Sequence, residues 1–576
     1  MGISFVIVAN YFAIKPVEYV GDAFALIETY IAQIKKETGS LEGARLMGIF
    51  NQTILRYGVL IVAMALLRGL FLFFMRQSII VMSRLIEFDL KNEVYAHYQT
   101  LPLAFYRTNN TGDLMARISE DVGKVRMYLG PAIMYGVNMV VLFSFTIYKM
   151  VNTSPILTLY VLMPLPILSF LIYKVNFVVE QKSTQIQQNL SRLSTFVQEA
   201  FSGIRVLKAF GRETDSVLQF DKACEEYKAA SLSLTKTNAL FQPLIVGLIG
   251  LSTVLTIYVG GLEVIKGTIE LRNIAEFVIY VNMLTWPVTS LGWTISLTQS
   301  AEASQKRINQ FLLTKEEIVS ETNIQTPIEG NISFQNVSFT YPDSGIKALD
   351  DVSFTIQKGQ TLGILGTTGS GKSTIANLIA RMYDVSVGEI KMDGLNIKKY
   401  DPHYLRRQIG YVPQDVFLFS DSIKNNIAFG MEDANDEEIE AAARQADFYE
   451  NIEGFKEKFE TLLGERGITL SGGQKQRASI ARALIKKPTI LLLDDCLSAV
   501  DTKTENTILS NLTQVMKSCT AVIISHRVSS LKLADKIVVL HAGKIVESGS
   551  YQELMALEGS KFREMLENQS IEEPIV

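Results

Sequence analysis

The sequence is poor in the residues from which metal centres and disulfide frameworks are built. It contains 3 cysteines and 4 histidines among 576 residues. Cys224, Cys496 and Cys519 are far apart in the chain, and their spacing fits neither a zinc site nor a set of paired disulfides. We place all three in cytoplasmic parts of the chain, where thiols stay reduced. The sequence therefore supports neither structural zinc nor a disulfide-stabilised fold.

A strong excess of charge of one sign is also missing. The formal net charge is −4, so the overall charge gives no indication of nucleic-acid binding. The first apolar stretch starts at Met1 without a basic flank, and Lys15 and Glu18 lie near its far end. A signal peptide needs a basic flank and a small-residue cleavage site. We therefore expect a trimmed or misassigned start rather than a signal peptide.

Long apolar runs are abundant, and they lie almost entirely before Ser300. Hydrophobic residues make up 48% of the chain and the mean hydropathy is +0.20, which is high for a soluble protein. A transmembrane helix needs about 20 apolar residues, and the hydropathy predicts about six such spans. The first half is thus predicted to be an α-helical transmembrane bundle, and the second half an α/β domain. The predicted spans are residues 1–20, 54–75, 132–149, 156–174, 240–264 and 275–300.

The distribution of lysine and arginine orients the bundle. Residues 76–126 and 174–236 are rich in both, whereas the short connections near Asn152 and Gly267 are poor in them. The positive-inside rule places the two long segments in the cytoplasm, and the sixth span then ends there as well. The connection after the first span contains lysine and arginine, so it fits an outer location only weakly.

Helical periodicity predicts that the two long segments extend the membrane helices well into the cytoplasm. Each segment is interrupted by a short element with glycine. We call residues 105–114 (FYRTNNTGDL) the first return and residues 209–214 (AFGRET) the second return. The returns are either docking elements that transmit force to the second half of the chain or plain helical hairpin turns. Taken alone, their residues favour neither interpretation.

Few strongly polar groups lie inside the predicted spans. Polar and aromatic side chains there are candidates for lining a transport pathway, although amides more often join helices to one another. Arg68 and Glu276 are the charges clearly inside the later spans. Because no chain of buried acids is present, a proton- or ion-coupled pump is disfavoured. The pathway candidates are Asn138, Gln242, Tyr280, Asn282, Thr285 and Trp286.

The second half contains a glycine-rich segment, ILGTTGSGKST at residues 364–374, between a strand-like run and a helical one. Glycines let the backbone wind tightly so that successive N–H groups point at one anion, and the following helix adds its dipole. The spacing predicts a phosphate loop in which Lys372 reaches the β- and γ-phosphates and Ser373 binds Mg2+. The predicted ATP-binding residues here are Gly366, Thr367, Thr368, Gly369, Ser370, Gly371, Lys372, Ser373 and Thr374.

Two other positions fit the needs of a nucleotide. Tyr341 ends a predicted strand upstream of the loop, where its ring can stack on adenine; the alternative is ordinary packing. Gln414 follows a β-rich run, where its amide can bind Mg2+ and orient the attacking water. Residues 314–330 are polar, acidic and without periodicity, and we interpret them as a linker.

A second anion-binding turn follows in the same half. Ser471, Gly472, Gly473 and Gln474 open a predicted helix, and helix N-termini bind anions. One ATP does not need two such sites. The economical interpretation is that these four residues, the Ser-Gly-Gly turn, close on the γ-phosphate held by another copy of the domain.

Two buried strands end in residues suited to hydrolysis. Residues 490–493 are followed by Asp494, which would hold Mg2+ through water, and by Asp495, where a general base would face the attacking water. His526 follows the other strand and would contact the γ-phosphate, although a histidine at a strand end is often structural.

Taken together, these features resemble an ABC exporter half-transporter of the multidrug or lipid type. The resemblance covers nearly the whole chain and rests on the phosphate loop, LSGGQ at residues 470–474, LLLDD at 491–495, SAVD at 498–501 and His526. It implies a six-span bundle with long cytoplasmic extensions, then a cytoplasmic P-loop NTPase domain of ABC type. The expected boundaries are 1–313 for the transmembrane domain, 314–330 for the linker, 331–570 for the nucleotide-binding domain and 571–576 for a tail.

The resemblance also implies roles for individual residues. Tyr341 would stack on adenine, Gln414 would lie in the Q-loop, and Glu465 would belong to a loop that touches the partner's helices. Residues 498–501 would line the dimer interface, and the two returns would be coupling helices. The implied cofactors are ATP and Mg2+, the implied location is the cytoplasmic membrane, and the expected partners are a second half-transporter and membrane lipids.

The chain departs from the family pattern in two places. It lacks the basic interfacial helix that precedes the first span, which again indicates a shortened start. It also has Asp495 where the family usually has glutamate, and the side chain is shorter by roughly 1.5 Å. An intact Ser-Gly-Gly turn beside a weakened base resembles the degenerate-site subunit of heterodimeric exporters.

The predicted function is ATP-driven export of a hydrophobic or amphipathic drug or lipid by one half of a dimer, most simply a heterodimer. The alternatives are a homodimeric exporter or flippase that uses aspartate as a slow base, and an ATP-gated regulatory membrane module.

Overall fold

A computed structural model describes residues 1–36, 40–498, 500 and 502–572. The chain divides into two compact units, residues 1–96 with 115–313 and residues 97–114 with 314–576. The first unit is built from helices, and the second contains two β-sheets with helices.

Helices α1 to α12 precede the first strand. They are α1 (Gly2–Lys36), α2 (Leu41–Thr100), α3 (Leu103–Thr108), α4 (Thr111–Ala116), α5 (Val122–Met127), α6 (Ile133–Thr153), α7 (Pro155–Leu162), α8 (Pro164–Ser202), α9 (Ile204–Ala209), α10 (Glu213–Ala239), α11 (Phe241–Ile265) and α12 (Leu271–Leu312).

Among the described residues, 6 helical stretches are long and apolar enough to cross a membrane. Apart from Met1, which precedes the first stretch, every predicted span lies within one of them, so the six-span bundle is confirmed. The stretches continue far beyond the apolar spans, as predicted for cytoplasmic extensions. They are Gly2–Lys36, Leu41–Thr100, Thr111–Thr153, Pro155–Ser202, Glu213–Ile265 and Leu271–Leu312.

The third stretch contains two π-helical turns, Arg117–Asp121 and Tyr128–Ala132. The first turn buries the carboxylate of Asp121, which accepts hydrogen bonds from Ser304 Oγ and Arg307 Nε of α12, both at 2.9 Å. A buried carboxylate needs such partners, because burying a charge alone is costly. The contact therefore fixes α12 against the third stretch within the first unit.

The second unit contains ten strands and helices α13 to α21. They are β1 (Ile332–Thr340), β2 (Lys347–Ile356), β3 (Thr361–Gly366), α13 (Lys372–Ile379), β4 (Val387–Met392), β5 (Leu395–Asn396), α14 (Pro402–Arg407), β6 (Ile409–Val412), α15 (Ile423–Ala428), α16 (Asp436–Gln445), α17 (Tyr449–Glu453), α18 (Gly472–Leu484), β7 (Ile490–Asp494), α19 (Thr502–Met516), β8 (Thr520–Ser525), β9 (Lys536–His541), β10 (Lys544–Gly549), α20 (Tyr551–Ala556) and α21 (Lys561–Glu572).

The two sheets have different architectures. One has the order β2-β1-β4-β5 and is antiparallel, and the other has the order β10-β9-β3-β8-β7-β6. In the second sheet β9, β3, β8, β7 and β6 run parallel, and β10 is antiparallel to β9. Strands β3, β7 and β8 are buried along their whole length, as is usual for parallel strands covered on both faces.

Much of the segment interpreted as a linker is packed against the nucleotide-binding domain. Ile324 forms a parallel bridge with Tyr400, and the buried guanidinium of Arg381 donates from Nη2 to the Val319 carbonyl at 2.7 Å. Ile328 is part of the hydrophobic core that includes the antiparallel sheet. Residues 319–328 are therefore fixed by backbone pairing and burial, which their acidic, aperiodic sequence does not reveal.

The two returns differ in their surroundings. The first return, with α3, clusters with the second unit, and Ala104 packs in the core formed by the strands of the nucleotide-binding domain. The second return follows α9, turns at Gly211 with a positive φ of 61°, and carries exposed Val206 and Phe210 nearby. The first return therefore packs on the nucleotide-binding domain within its own compact unit, and the second return belongs to the helical unit.

Candidate functional site

Four adjacent parallel strands, β3, β8, β7 and β6, end at the same edge of the larger sheet. The phosphate loop follows β3, His526 follows β8, Asp494 ends β7, and Gln414 lies just beyond β6. Ligands of open α/β sheets bind outside the carboxyl ends of the strands. The strand order thus gathers residues from four separate segments at the edge where a nucleotide is expected.

The phosphate loop has the backbone that its glycines predict. Gly369 and Gly371 have positive φ values of 79° and 100°, and Gly371 is the N-cap of α13. A Cβ at Gly366 would lie 2.5 Å from the Leu540 carbonyl oxygen, so a side chain does not fit there. Lys372 Nζ donates to the carbonyls of Gly366 at 2.8 Å and Thr367 at 2.9 Å. The lysine thus spans the loop over which phosphates would sit.

Electrostatics at the loop suit a polyphosphate. Burial lowers the pKa of Lys372, and the nearby carboxylates of Asp495 and Asp494 counteract that shift. Thr367, Thr368 and Gly369 form an exposed rim, whereas Ser370 and Thr374 are buried beneath it. The exposed rim leaves backbone N–H groups accessible to an anion.

The predicted metal ligands Ser373 and Asp494 meet directly. Ser373 Oγ donates to Asp494 Oδ1 at 3.0 Å, although the two residues lie on different elements. Burial raises the pKa of Asp494, partly offset by the hydrogen bond from Ser373. A hydroxyl beside a carboxylate is the oxygen-rich ligand set that Mg2+ prefers, so these residues fit the metal. Gln414 is exposed and makes no hydrogen bond with the part of the chain that is described.

Asp495 and His526, two of the three predicted catalytic residues, also meet, whereas within the described residues the third, Gln414, does not join them. His526 Nδ1 lies 2.8 Å from Asp495 Oδ1. Asp495 has a positive φ of 47°, which is uncommon for a residue other than glycine, and its N–H donates to the Ile524 carbonyl at 2.9 Å. The backbone carbonyl of His526 accepts a hydrogen bond from Gln569 Nε2. The carboxylate at the general-base position is therefore engaged by the histidine.

The Ser-Gly-Gly turn is built as an N-terminal cap. Ser471 Oγ accepts from the Gln474 N–H at 3.3 Å, and Gln474 Oε1 accepts from the Ser471 N–H at 2.9 Å. Gly472 and Gly473 are the first residues of α18, whose 13 residues give it a substantial dipole. Within the described ranges no hydrogen bond joins this turn to the phosphate loop. The phosphate loop and the Ser-Gly-Gly turn of this chain are thus separate elements.

The segment after Asp495 bonds to α18, the helix that the Ser-Gly-Gly turn opens. Ser498 Oγ donates to the Asp495 carbonyl at 3.0 Å, and Gln476 Nε2 of α18 donates to Ser498 Oγ at 3.1 Å. Of the predicted interface segment 498–501, Ala499 and Asp501 lie outside the described residues. Glu465 begins a short 3-10 turn and is exposed. The sequence reasoning missed Gln476, although its position two residues after Gln474 is a visible signal.

Tyr341 lies at the end of β1 in an aromatic cluster. Its hydroxyl is 2.9 Å from Thr374 Oγ1 of the loop helix. Its ring meets Phe339 at 4.9 Å and Tyr383 at 5.5 Å, both edge-on. The guanidinium of Arg107, from the first return, lies over the Tyr341 ring at 4.9 Å from its centroid. Sequence reasoning identified Tyr341 but not Arg107, the basic residue in FYRTNNTGDL.

The bundle contains a cavity of about 450 Å3 that includes several pathway candidates. Asn138, Asn282 and Trp286 line it together with Arg68. Asn138 accepts a hydrogen bond from Asn10 at 2.9 Å, which supports a helix-joining role. Asn282 and Thr285 donate to carbonyls of their own helix. The other cavity residues are mostly apolar: Ala13, Pro16, Val17, Val20, Leu142, Ile279, Met283 and Pro287.

Comparison with known proteins agrees with this architecture. Residues 25–288 match the family model described as ABC transporter transmembrane region, and residues 349–498 match that described as ABC transporter. A structure of a bacterial Atm1-family ABC exporter with ATP bound is similar, with a TM-score of 0.77 and 25% identity over 99% of this chain and 98% of that one.

Curated relatives are similar over most of their length. The probable multidrug resistance ABC transporter ATP-binding/permease protein YheI of Bacillus subtilis is 37% identical over 85% of this chain and 84% of the relative. The multidrug resistance-like ATP-binding protein MdlA of Escherichia coli is 35% identical over 84% and 82%. The ATP-dependent lipid A-core flippase of Syntrophus aciditrophicus is 34% identical over 82% and 79%.

These matches extend over both halves of the chain, and they agree with the six apolar stretches, the two-sheet nucleotide-binding domain and the phosphate loop. An ABC ATPase domain binds and hydrolyses ATP to drive transport, and exporters of this type work as dimers in the bacterial cytoplasmic membrane. The chain therefore belongs to the ABC transporter family, as an exporter of the multidrug or lipid type in which the transmembrane and ATP-binding domains are fused.

Proposed function

We propose that this chain is the half-transporter with the weaker ATPase site in a heterodimeric exporter of hydrophobic or amphipathic substrates. The observation that carries this proposal is the short side chain of Asp495 at the general-base position. The family usually has glutamate there. The partner half would supply that glutamate, and the Ser-Gly-Gly turn of this chain would complete the partner's site.

The geometry supports a specific role for each residue at the ATP site of this chain. Tyr341 would stack on adenine, residues 366–374 would cradle the phosphates, and Lys372 would reach the β- and γ-phosphates. Ser373, Gln414 and Asp494 would hold Mg2+, which would neutralise phosphate charge. The head-to-tail pairing is favoured by the separation of Ser471–Gln474 from the own loop, because that anion site then serves the other subunit's ATP.

The shorter carboxylate is expected to slow hydrolysis rather than abolish it. Aspartate ends roughly 1.5 Å short of glutamate, and a positional error near 1 Å costs about a hundredfold in rate. Asp495 keeps its charge and its bond to His526. The own site would therefore bind ATP normally and turn it over slowly.

The returns are the proposed couplers between ATP and the bundle. Helix α3 and the first return pack on the nucleotide-binding domain through Ala104 and Arg107. The second return presents exposed apolar side chains that include Phe210, which is 77% exposed. Such a patch suits docking on an ATP-binding domain. Closure of two domains around ATP would move these elements and reorient the spans, and hydrolysis would reset them.

The bundle cavity supports an apolar or amphipathic substrate. Its walls are mostly aliphatic, and it offers a few polar groups and one cation, Arg68. Two of the relatives carry names that refer to multidrug resistance and one a name that refers to a lipid A-core flippase. We therefore place drugs and lipids ahead of peptides as substrates.

The test is Mg2+-dependent ATP hydrolysis by the purified chain, with its oligomeric mass, before and after Asp495→Glu. We expect turnover near background for the chain alone and a rise of up to about a hundredfold on the substitution. Asp495→Asn is the matched control, because it removes the charge and should leave no base. A stable dimer with brisk turnover that Asp495→Glu leaves unchanged would overturn the weak-site proposal and indicate a homodimer.

A homodimeric exporter is the second candidate, and the intact Asp495–His526 contact favours it because an acid and its histidine are both in place. An ATP-gated regulatory module is the candidate from another class. Uptake of a labelled hydrophobic dye into inverted vesicles, abolished by Lys372→Ala, would reject that module.

A further inference from the structure

The nucleotide-binding domain contains a largely buried carboxylate whose cation comes from the first return. Asp343 lies two residues after Tyr341, and its side chain is 12% exposed. Arg107 Nε lies 3.3 Å from Asp343 Oδ2. Across the described parts of the chain, no second cation pairs with Asp343. A buried carboxylate without a cation is strongly destabilised, so Arg107 is the group that neutralises it.

Arg107 makes two further contacts with the aromatic cluster. Its guanidinium carbon lies 4.9 Å from the centroid of the Tyr341 ring, within cation–π range. Its Nη1 lies 3.5 Å from the Tyr383 hydroxyl, and this contact raises the pKa of Arg107. We call Arg107, Asp343, Tyr341 and Tyr383 the arginine cluster. Only a planar guanidinium with several N–H groups can serve a carboxylate, a hydroxyl and a ring together.

We propose that Arg107 is a positioning residue of the ATP site, which supports Tyr341 from behind while adenine stacks on the other face of the ring. The arrangement is a three-layer stack of adenine, Tyr341 and Arg107. This inference rests on the proposed adenine-stacking role of Tyr341. It adds that a residue outside the nucleotide-binding domain's own sequence completes the adenine site.

Adenine would join the stack without displacing Arg107. Removing the guanidinium from the ring would break its contact with Asp343, and it would leave a carboxylate exposed to a polyanionic nucleotide. The opposite charges hold Arg107 in place, and the neutralised Asp343 no longer repels ATP. The arginine therefore has two effects on ATP affinity, support of the stacking ring and cancellation of a nearby negative charge.

The arrangement gives the first return a direct means of sensing the nucleotide. Adenine on one face of Tyr341 restricts the ring, and the ring restricts Arg107 on α3. Ala104 anchors the same helix in the hydrophobic core, so docking persists without Arg107. The docking of α3 and its response to ATP are thus carried by different residues, and a substitution can separate them.

The first measurement is equilibrium binding of radiolabelled ATP to the full chain in nanodiscs without Mg2+, which needs neither hydrolysis nor transport. Arg107→Ala should raise Kd about fivefold to tenfold, from the lost cation–π contact and the unpaired carboxylate. Arg107→Lys, which keeps only the charge, should raise it about twofold. Arg84→Ala is the control. Arg84 lies on α2, outside the arginine cluster; it pairs with Glu87, and its side chain is 60% exposed.

The second measurement separates the charge effect from a general loss of structure. Adding Asp343→Asn to Arg107→Ala removes the unpaired carboxylate and should bring Kd back to within about threefold of the parent. Hydrogen exchange supplies an independent readout. Saturating ATP should slow exchange in residues 103–108 of the parent but not of Arg107→Ala, while the phosphate loop is slowed in both.

The inference is overturned if Arg107→Ala leaves Kd unchanged, if Asp343→Asn restores nothing, or if ATP still slows exchange in residues 103–108 of that variant. Should Arg107→Ala fail to fold, Arg107→Gln replaces it, since it keeps the stem and removes the charge. Tyr341→Ala distinguishes failure of the proposed adenine-stacking role from failure of the inference about Arg107. If Tyr341→Ala leaves Kd unchanged, both the adenine-stacking role and the inference fail. If Tyr341→Ala weakens binding but Arg107→Ala does not, the inference fails and the adenine-stacking role stands.

Discussion

The ATP site of the nucleotide-binding unit and the cavity region of the helical unit differ in what most of their named polar side chains bond to. In the nucleotide-binding unit the site residues bond to one another, as in Ser373 with Asp494 and Asp495 with His526. In the helical unit Asn282 and Thr285 donate to carbonyls of their own helix. A network of paired groups fixes one geometry for one ligand, whereas self-satisfied groups around an apolar cavity leave the choice of ligand broad.

This difference matches what each unit has to bind. ATP presents fixed charges at fixed distances, so the loop, the metal ligands and the base must be preorganised. A drug or lipid presents mainly apolar area, and burial of that area is non-directional. We therefore expect substitutions in the nucleotide-binding unit to act sharply, and cavity substitutions in the helical unit to act gradually.

The sharpest test of this contrast is Lys372→Ala. The substitution removes the cation that spans the phosphate loop, and losing one such electrostatic contact should cost about a hundredfold or more in ATP turnover. Turnover should be measured on the purified chain in the Asp495→Glu background, so that it reports this chain's own site rather than the partner's. Lys358→Ala is the control, because Lys358 is exposed and pairs only loosely with Glu329 at 3.7 Å. A loss below tenfold would contradict the assigned role of the lysine.

The helical unit contains a buried polar contact that should behave like those of the ATP site. Asp121→Asn weakens the buried pair with Arg307 and Ser304, and hydrogen bonds to charged groups contribute about 1.5–3 kcal/mol each. We expect a clearly lower Tm in detergent. Glu120→Gln is the matched control, since Glu120 is exposed and lies 3.9 Å from Lys124. Equal Tm values for the two variants would show that the buried contact contributes nothing.

The gradual effect that we expect of substitutions in the helical unit is tested at the bundle cavity. Trp286→Ala should change the concentration of a hydrophobic dye that half-stimulates ATP turnover by about threefold to tenfold, the worth of one aromatic contact. Basal turnover should stay the same, since Trp286 lies in the bundle. Exposed Phe170, outside that cavity, provides the control variant Phe170→Ala. A complete loss of stimulation would mean that the cavity is as specific as the ATP site.

The smallest expected effect concerns pH and the C-terminal helix of the nucleotide-binding unit. Burial raises the pKa of Glu547, but hydrogen bonds from the Lys561 and Phe562 N–H groups and from Ser560 together lower it by more, so the net pKa is depressed. The stabilising contribution of Glu547 is therefore fully present above the ordinary glutamate pKa. It is lost as the pH falls through the lower pKa of the folded state. Each bond contributes about 1 kcal/mol.

The measurement compares Tm at pH 7 and near pH 4 for the parent and Glu547→Gln. The parent should lose a few degrees more than the variant on acidification, because only the parent has the carboxylate to protonate. Glu558→Gln is the control, because Glu558 is exposed. An identical pH dependence of Tm in all three proteins would show that Glu547 does not contribute to the loss of stability in acid.

The sequence was informative where function depends on local backbone. The six apolar stretches follow from the thickness of a bilayer, and the phosphate loop follows from glycines at positions where a side chain does not fit, such as Gly366. It was less informative for residues 314–330, because the bridge between Ile324 and Tyr400 and the bond from Arg381 join segments far apart in the chain.

The amino-acid sequence by itself determined the membrane spans, the nucleotide-binding segments and the aspartate at residue 495, because hydropathy, glycine spacing and side-chain length are local properties. The tertiary structure decided which strands are neighbours, that Ser373 meets Asp494, and that Arg107 lies over Tyr341. The two side-chain contacts join residues more than a hundred positions apart. Their formation depends on the packing of whole elements, and local periodicity carries no record of that packing.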